Sequence, residues 1–404
     1  MSIKTANSNL NKTILIFVVV LMMMACVAIP ATTPVSIASP TPLPAAQIHI
    51  KDVTSWKWTE IPVPVIKPFS QHPQVLIDSK GRIHLLWDTL GGSDNAFIYH
   101  SYFDAGQWTS PKPIASTLGT SSIVTAPLAT PDGAIHVLWY NQLQLGGPYR
   151  LMYAKYDGAN WSPEVELYRS DKDPNLSGSL FSDSQSVVHA VIRVPKGLGS
   201  DFLYLTNTTN GWQIQQSILP QGLNDLIMWK YESDSDGGVR LYGRDLNGQL
   251  NFAYWKNNAA TTQQTNITLK MYDHDFGDNL GNYYIYRIGD VPIPGGTTTG
   301  VYSQCIDTNL TLWPEQLLSG ENKVVTAPQI AQSASRTVMS WITSDNQVQF
   351  LFPKGCGKAD LFTLPLPKVI FVRQSLSLAI SDSPNKLCIL NRAGEFEMYC
   401  ADMQ

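Results

Sequence analysis

The sequence predicts an all-β protein, a seven-bladed β-propeller in which each blade is a four-stranded antiparallel sheet. The first observation is an internal repeat with a period of about 52 residues. The second is the content of each repeat, where short runs rich in β-branched and aromatic residues are separated by Gly, Asp, Asn and Pro. The third is that the two ends of the repeating region carry complementary parts of one unit.

The repeat is clearest in its first two copies. Gly-Arg-Ile-His-Leu-Leu-Trp at 81–87 recurs as Gly-Ala-Ile-His-Val-Leu-Trp at 133–139. Each copy closes with a second tryptophan, Trp108 or Trp161, shortly before Ser-Pro. Later, more worn copies are marked by His189, Val239, Trp313 and Trp341. Counting the closing tryptophan strands gives seven blades, although the weak marking of units four to six leaves six blades open.

The ends of the repeating region predict a closed ring. Blades bury their faces against neighbouring blades, so the first and last blades need each other. The last unit stops at Met398-Tyr399-Cys400, one strand short of a complete blade. The segment around Trp56 and Trp58 resembles an isolated copy of the strand around Trp108. We therefore expect an N-terminal strand to pair with the last unit and to leave no open edge.

The N-terminal residues are typical of an export signal. Lys4 and Lys12 precede the apolar run 14–24, which is too short to span a bilayer comfortably. That run ends in Ala25-Cys26, which resembles the bacterial lipobox, where the signal is cut and the cysteine is lipidated. We expect a lipoprotein signal at 1–26; the alternative is an ordinary cleaved signal or an uncleaved anchor.

Residues 27–47 are mostly Ala, Pro, Ser and Thr before the first strand-like residues, and such a segment predicts a disordered tether. The propeller then occupies 48–404. Signal, tether and domain together predict an extracytoplasmic lipoprotein, anchored to the membrane by lipid alone, on the bacterial cell surface or facing the periplasm.

Charge and cysteine content narrow the partners further. The net charge is −4 and the mature part has no basic run, so nucleic acid is not an expected partner. We expect a monomer. Beyond Cys26, Cys388 and Cys400 flank a single turn and are expected to form a disulfide, which leaves Cys305 and Cys356 as a second pair by elimination. No zinc-type Cys spacing is present, and we expect no metal and no cofactor.

The Gly-x-Ile-His-x-x-Trp strand and the closing Trp before Ser-Pro resemble the sialidase-like, or BNR/Asp-box-like, propellers of bacterial surface proteins. The resemblance is strong over 70–215 and weaker elsewhere. An Asp-box of this family has Asp and Gly two residues apart, whereas Asp78 and Gly81 are three apart and Thr130 stands where Asp78 would recur. The repeats are therefore degenerate, and kelch-type propellers rank second.

For a working sialidase the resemblance implies three arginines that clamp a carboxylate, a Tyr–Glu nucleophile pair and an acidic Asp. Arg193, Arg244 and Arg287 fall near predicted loops, but none recurs at a blade position that would place such a triad round the axis, so no catalytic residue is assigned. We predict a non-catalytic, surface-displayed binding or scaffold propeller that recognises a glycan or an extracellular protein. The alternative is an extracellular glycoside hydrolase of sialidase-like type.

Propeller ligands usually bind to the loops between the second and third strands of a blade and to the loops between blades. These loops are polar and aromatic here, which suits sugar hydroxyls or extended peptides. The candidate ligand-binding residues are Asp88, Asp94, Tyr140, Tyr149, Arg193 and Arg244.

Two further groups invite a metal interpretation. His84, His136 and His189 recur in the second strand, where we expect structural histidines bonded to backbone. The cluster Asp273, His274, Asp275 and Asp278 offers oxygen ligands for calcium, but its spacing fits no established loop, so we expect a solvated polar loop.

Overall fold

All secondary structure that the structure describes is β-strand. The computed structural model describes residues 47–51, 56–64, 73–88, 97–114, 121–144, 146–171, 176–183, 185–196, 199–217, 228–233, 238–244, 249–256, 259–268, 274–277, 282–309, 311–319, 323–326, 328–333, 335–366, 377–392 and 396–403. No helix long and apolar enough to cross a bilayer occurs in these ranges. Cys26, nearly all of the predicted tether, and Asp94 lie outside them.

Thirty strands run through the described residues. In chain order they are β1 (Gln47–Lys51), β2 (Trp58–Ile61), β3 (Gln74–Ile77), β4 (Ile83–Asp88), β5 (Ile98–Asp104), β6 (Gln107–Trp108), β7 (Lys112–Pro113), β8 (Ser121–Ala129), β9 (Ile135–Gln142), β10 (Tyr149–Tyr156), β11 (Val165–Ser170), β12 (Ser177–Ser182), β13 (Val188–Lys196), β14 (Gly199–Thr208), β15 (Gly211–Ser217), β16 (Met228–Ser233), β17 (Val239–Arg244), β18 (Gln249–Lys256), β19 (Ala259–Thr268), β20 (His274–Gly277), β21 (Tyr283–Ile293), β22 (Gly296–Ile306), β23 (Gln316–Leu317), β24 (Gln329–Gln332), β25 (Thr337–Ile342), β26 (Gln347–Pro353), β27 (Lys358–Pro365), β28 (Ser377–Asp382), β29 (Asn385–Arg392) and β30 (Phe396–Asp402).

The described strands form seven sheets, numbered I to VII here in the chain order of their first complete unit. Sheet I is β3-β4-β5-β6 with β7 beside β5, and sheets II to V are β8–β11, β12–β15, β16–β19 and β20–β23. Sheet VI is β24–β27 with β1 added, and sheet VII is β28–β30 with β2 added. The all-β prediction is confirmed, and the series of antiparallel four-stranded sheets agrees with the predicted propeller.

The N-terminal segment contributes a strand to each of two sheets. Strand β2 pairs antiparallel with β30, with Trp58 opposite Ala401. Strand β1 pairs parallel with β27, with Gln47 opposite Lys358. Between these strands, Trp56 is buried and its ring stacks on that of Phe362, with centroids 4.8 Å apart. We call residues 47–51 and 56–61 the N-terminal clasp, since they join sheets VI and VII.

The core is divided into apolar clusters that lie between sheets. The described residues form seven apolar clusters, and each combines side chains of two sheets. In six of the clusters the two sheets are consecutive along the chain. The seventh combines sheet VII with sheet I, through residues such as Leu390 and Met398 against Val75 and Leu85. Because one sheet cannot hide its own faces, burial at these interfaces supplies most of the stabilisation.

The repeated tryptophans take part in this packing. Trp87 and Trp139, in the second strands of sheets I and II, are almost completely buried. The closing Trp161 packs edge-on against His100 of the preceding sheet at 5.1 Å between centroids. At these positions the tryptophan side chains therefore pack between neighbouring sheets.

Both predicted disulfides are confirmed. Cys388 and Cys400 lie directly opposite each other on β29 and β30, so this bond stays within sheet VII. Cys305 and Cys356 connect β22 of sheet V with the turn before β27 of sheet VI. The second bond therefore crosses an interface between sheets.

Replacing Gly178 by alanine is expected to lower the free energy of unfolding by about 1–3 kcal/mol. A Cβ atom on Gly178 of β12 would lie 2.7 Å from Leu138 Cδ2 of sheet II and 3.0 Å from the Val191 carbonyl oxygen. Urea unfolding measures the effect, with Gly296→Ala as control because no atom lies within 4 Å of the Cβ built there. Equal stability of the two variants would contradict the tight contact between sheets II and III.

Candidate functional site

One end of the sheets carries all the predicted ligand-binding residues that the structure describes. In each sheet the first strand begins where the antiparallel second strand ends. We call this the upper end; it is marked by the first residues of the first strands, Gln74, Ser121, Ser177, Met228, His274, Gln329 and Ser377. Among the candidates, Asp88, Tyr140, Tyr149, Arg193 and Arg244 lie in strands near this end.

Asp88, the last residue of β4, is only 1% exposed. Its carboxylate is therefore not presented to solvent at the upper end of sheet I. Any role in ligand binding would have to be exerted through the residues around it.

Tyr140 and Tyr149 form an aromatic pair at the upper end of sheet II. Their rings stack at 6.1 Å between centroids with 24° between planes. Tyr149 is buried and Tyr140 is half-buried, and burial raises the pKa of the Tyr140 hydroxyl to about 12. Near neutral pH this hydroxyl keeps its proton, so it can donate a hydrogen bond as well as accept one.

Arg150 lies next to this pair and is engaged by its own sheet. Its Nε and Nη2 donate to Asn141 Oδ1 at 3.2 and 2.5 Å, and its Nη1 lies 3.7 Å from Glu166 Oε2. Burial lowers the pKa of Arg150, against the attraction of Glu166. We assign it the role of supporting the end of the sheet.

Arg193 and Arg244 occupy equivalent positions in neighbouring sheets. Arg193 lies opposite Ser177, the first residue of β12, and Arg244 lies opposite Met228, the first residue of β16. Arg287 does not share this position, because Tyr286 lies opposite His274, the first residue of β20, so these three arginines do not form a triad at equivalent positions. The sequence contains a signal for the pair Arg193 and Arg244, because Val188 and Val239 each stand five residues before the arginine. The third and fourth copies of the repeat have diverged too far from the first two for that signal to be recognised.

The guanidinium of Arg193 is oriented without being neutralised. Its Nε donates to Oγ of the buried Ser200 at 2.7 Å, and the side chain is half-buried. It has no carboxylate partner among the described residues. Arg193 follows Val191, which packs against sheet IV, by two residues, so both side chains leave the same face of sheet III.

Arg287, the third arginine singled out by the sequence, is neutralised. Its Nε and Nη2 donate to the two carboxylate oxygens of Glu315 at 2.7 and 2.6 Å. The guanidinium also lies 4.2 Å from the centroid of the Tyr302 ring. This bidentate pair braces the long hairpin of β21 and β22 and leaves no charge for a ligand.

The recurring histidines bond to side chains, and the expectation of backbone partners was wrong. Their nearest hydrogen-bonding groups are, for His84, Asp78 and His100; for His136, Tyr153; and for His189, Asp183, Thr206 and Tyr204. The partners come from the end of the first strand and from the third strand of the same sheet. No group of three or more metal-ligating side chains occurs in the described part of the chain.

The acidic segment near His274 is not the polar loop that was expected. His274–Gly277 form β20, the first strand of sheet V, with Asp275 opposite Ile285. Asp273 and Asp278 lie outside the described residues. Alternating polar and aromatic residues over four positions carry too weak a periodicity to predict such a short strand.

Comparison with known proteins establishes a likeness of fold. No protein-family model matches the sequence, and no curated protein sequence matches it significantly. The solved structure of the polysaccharide lyase Uly1 is similar with a TM-score of 0.52 at 12% identity, over 89% of this chain and 97% of that one.

Two further solved structures are similar at lower scores. The Hadza microbial sialidase Hz136 has a TM-score of 0.43 at 13% identity, over 74% of this chain and 66% of that one. The Aleuria aurantia lectin AAL, as the N224Q mutant bound to Fucα1-6GlcNAc, has a TM-score of 0.40 at 11% identity, over 75% of this chain and 98% of that one. At the level of fold, this chain is similar to Uly1.

Proposed function

We propose that the seven sheets are the blades of one closed ring, sealed by the N-terminal clasp. Three observations support this proposal: the apolar cluster between sheets VII and I, the pairing of β2 with β30, and the burial of Trp56 between sheets VI and VII. A ring leaves no sheet face without a neighbour. It would also explain why the chain returns its N-terminal residues to its last two sheets.

The predicted cellular location is also a proposal. We propose that the domain works outside the cytoplasm, attached through lipid at Cys26 and carried on a tether that begins at residue 27 and ends before β1. The two disulfides support an oxidising compartment. The monomeric state and the lack of a nucleic-acid partner, which is supported by the net charge of −4, belong to the same proposal.

We propose that the upper end binds an extracellular acidic polysaccharide without cleaving it. The observation that carries this proposal is Arg193, a half-buried guanidinium held by Ser200 with no carboxylate partner in the described part of the chain. Such a fork matches a carboxylate or sulfate in geometry and charge. Arg244 repeats the position in sheet IV, and the Tyr140–Tyr149 pair adds an aromatic surface in sheet II.

The distribution of these groups favours a polymer over a single sugar. They lie on sheets II, III and IV, which are consecutive, so a ligand that contacts them all must extend across several sheets. The fold likeness to a polysaccharide lyase is compatible with this ligand class. A protein ligand with an extended acidic segment would be recognised by the same charges, and direct comparison with a polysaccharide separates the two.

Replacing Arg193 by alanine is expected to weaken binding of an acidic polysaccharide by about 10- to 100-fold, because a hydrogen-bonded ion pair contributes roughly 1.5–3 kcal/mol. The measurement is a binding titration with polygalacturonate as the acidic probe and dextran as the neutral one. Arg169→Ala is the matched control, since Arg169 is an exposed arginine of sheet II that lies 3.5 Å from Asp171.

The proposal requires that dextran binds much more weakly than polygalacturonate and that Arg169→Ala changes little. Equal binding of both polymers, or equal losses in the two variants, would contradict it. The glycoside hydrolase alternative is tested in the same samples by the release of reducing ends. Turnover by the wild-type protein would replace the binding function with that alternative.

A further inference from the structure

A buried chain of hydrogen bonds connects sheets I and II at the end opposite to the proposed ligand site. His84 Nε2 lies 3.1 Å from Asp78 Oδ2, and His84 Nδ1 lies 2.9 Å from His100 Nε2. Trp161 Nε1 of sheet II donates to His100 Nδ1 at 3.2 Å. Asp78, His84 and His100 are each at most 5% exposed, so these three groups are shielded from bulk solvent.

The direction of every proton in this chain follows from its two ends. An indole N–H can only donate, so His100 Nδ1 must accept and its proton sits on Nε2. His100 Nε2–H then donates to His84 Nδ1, which leaves the proton of His84 on Nε2, facing Asp78. Both imidazoles are therefore neutral, and every bond points from sheet II towards the Asp78 carboxylate.

A second proton on either imidazole has no acceptor. On His100 Nδ1 it would face the indole N–H of Trp161, and on His84 Nδ1 it would face the N–H of His100. Either event turns one hydrogen bond into a contact between two donors. A proton on His100 Nδ1 breaks the link between the sheets, from Trp161 to His100, whereas a proton on His84 Nδ1 breaks the bond within sheet I.

We propose that this chain is an acid-sensitive latch between sheets I and II, closed while both imidazoles are neutral and opened when His100 takes up a proton. The latch concerns the joint between two sheets and does not depend on the ligand proposed above. An extracytoplasmic protein is exposed to changes of pH that the cytoplasm buffers. Such a latch would open when the external pH falls.

The charged and titratable groups around the imidazoles come from both sheets. Sheet I contributes Asp78, Arg82 and Tyr102, and sheet II contributes Tyr156, whose ring lies 4.9 Å from that of His100. Burial, then the charges of His84 and Arg82, lower the pKa of His100 from 6.5 to about 3. Burial also lowers the pKa of His84, although Asp78 opposes that shift.

The sign of the pH effect follows from these shifts. Between pH 6.5 and about 3, His100 is neutral in the closed state and protonated once the joint opens. The open state therefore binds more protons, and opening becomes more favourable as the pH falls through this window. Above pH 6.5 neither state binds the proton, and the latch stays closed.

Sheets II and III supply the test variant. The position of His100 is taken by Tyr153 in sheet II and by Tyr204 in sheet III, whose hydroxyls lie 2.7 and 2.8 Å from Nδ1 of His136 and His189. In His100→Tyr, the new hydroxyl can donate to His84 Nδ1, as these two tyrosines can to their histidines, so the bond within sheet I is kept while one titrating group is removed.

The experiment is hydrogen exchange at pH 7 and pH 5, corrected for intrinsic exchange rates, in segments 98–104 and 155–162. Opening of these segments in the wild-type protein should rise about 20-fold more between the two pH values than in His100→Tyr. His49→Gln, which changes an exposed histidine of β1, should behave like the wild type. Near-UV circular dichroism at pH 7 checks that each variant is folded.

Two results would overturn the latch. One is the same pH dependence in the wild type and in His100→Tyr, and the other is acceleration spread equally over sheets V and VI. Should His100→Tyr fail to fold, Trp161→Phe replaces it, because it removes the donor between the sheets and no titratable group. That variant must open segments 98–104 and 155–162 already at pH 7, and unchanged exchange there would refute the latch.

Discussion

Replacing Trp56 by alanine is expected to lower the free energy of unfolding by about 3–5 kcal/mol, because truncating a buried tryptophan removes its apolar surface and leaves a cavity. Trp56 belongs to the cluster between sheets VI and VII, where it stacks on Phe362 and meets Phe352 edge-on at 6.3 Å. The change removes the central side chain of the N-terminal clasp. Urea unfolding followed by tryptophan fluorescence and circular dichroism measures it.

The matched control is Lys57→Ala, which changes an exposed side chain at the next position. It should leave stability within about 0.5 kcal/mol of the wild type. Limited proteolysis adds a second readout, since a loosened clasp exposes the peptide bonds of residues 56–61. A loss of less than about 1 kcal/mol in Trp56→Ala, with the clasp still protected, would mean that the clasp does not hold sheets VI and VII together.

Replacing Asp78 by asparagine is expected to destabilise the protein by about 3–5 kcal/mol, since it leaves a buried guanidinium without its counter-ion. The Asp78 carboxylate accepts from Arg82 Nε at 2.6 Å, and from the backbone N–H groups of Lys80 and Arg82 at 2.9 Å. It also receives the hydrogen bond of His84. Denaturant unfolding at pH 7 measures the loss.

Asp183→Asn measures the stability that such a carboxylate contributes without an arginine partner. Comparison with Asp78→Asn therefore separates the contribution of the Arg82 guanidinium. Asp183 holds the equivalent position in sheet III and accepts from His189 and from two backbone amides, but no arginine contacts it among the described residues. We expect Asp183→Asn to cost about 1–2 kcal/mol. A loss in Asp78→Asn no larger than that in Asp183→Asn would show that the ion pair with Arg82 adds nothing to the stability.

The same carboxylate sets the lower limit of acid stability in sheet I. Hydrogen bonds from His84 and Arg82 outweigh burial and lower the pKa of Asp78 from 3.8 to about 2. The unfolded state binds this proton at the higher pH, so the stabilisation by Asp78 is complete above pH 3.8 and is lost as the pH falls from 3.8 through 2. The histidines lose their contribution earlier, from pH 6.5 downwards.

The parts of the fold that the sequence predicted are those with a local signal. The Gly-x-Ile-His-x-x-Trp repeat marks β4 and β9, and the isolated Trp58 segment marks β2. Strand β1 was not predicted, because a parallel pairing between Gln47–Lys51 and β27 depends on residues more than three hundred positions away. Its residues, Gln-Ile-His-Ile-Lys, alternate polar and β-branched side chains, but five positions are too few to establish a strand period.

The candidate site could be predicted only in part. Loop composition pointed to the upper end, where Tyr140 and Arg193 lie, but it did not distinguish the buried Asp88 from residues nearer the solvent. Burial of that kind depends on the neighbouring sheet, which local sequence does not encode. The hydrogen bonds of His84 and His189 could not be predicted, because strand register fixes their partners. His100 and Tyr204, for example, each lie two residues from the residue directly opposite the histidine.

The two ends of the sheets differ in how their charged side chains are paired. At the lower end, the Asp78 carboxylate accepts from Arg82 and His84, so the charges of this network balance each other. At the upper end, Arg193 keeps a charge that no described carboxylate balances. A scaffold that balances its charges internally in one place and leaves one unbalanced in another indicates where a ligand is to be sought.

The most direct test of that conclusion locates the bound polymer on the protein. Hydrogen exchange of the wild-type protein, measured with and without saturating polygalacturonate, reports which strand ends become protected. Binding as proposed protects segments 140–150 and 193–203 at the upper end and leaves 78–84 and 183–189 unchanged. Protection confined to the lower end, or equal protection with dextran, would contradict the account.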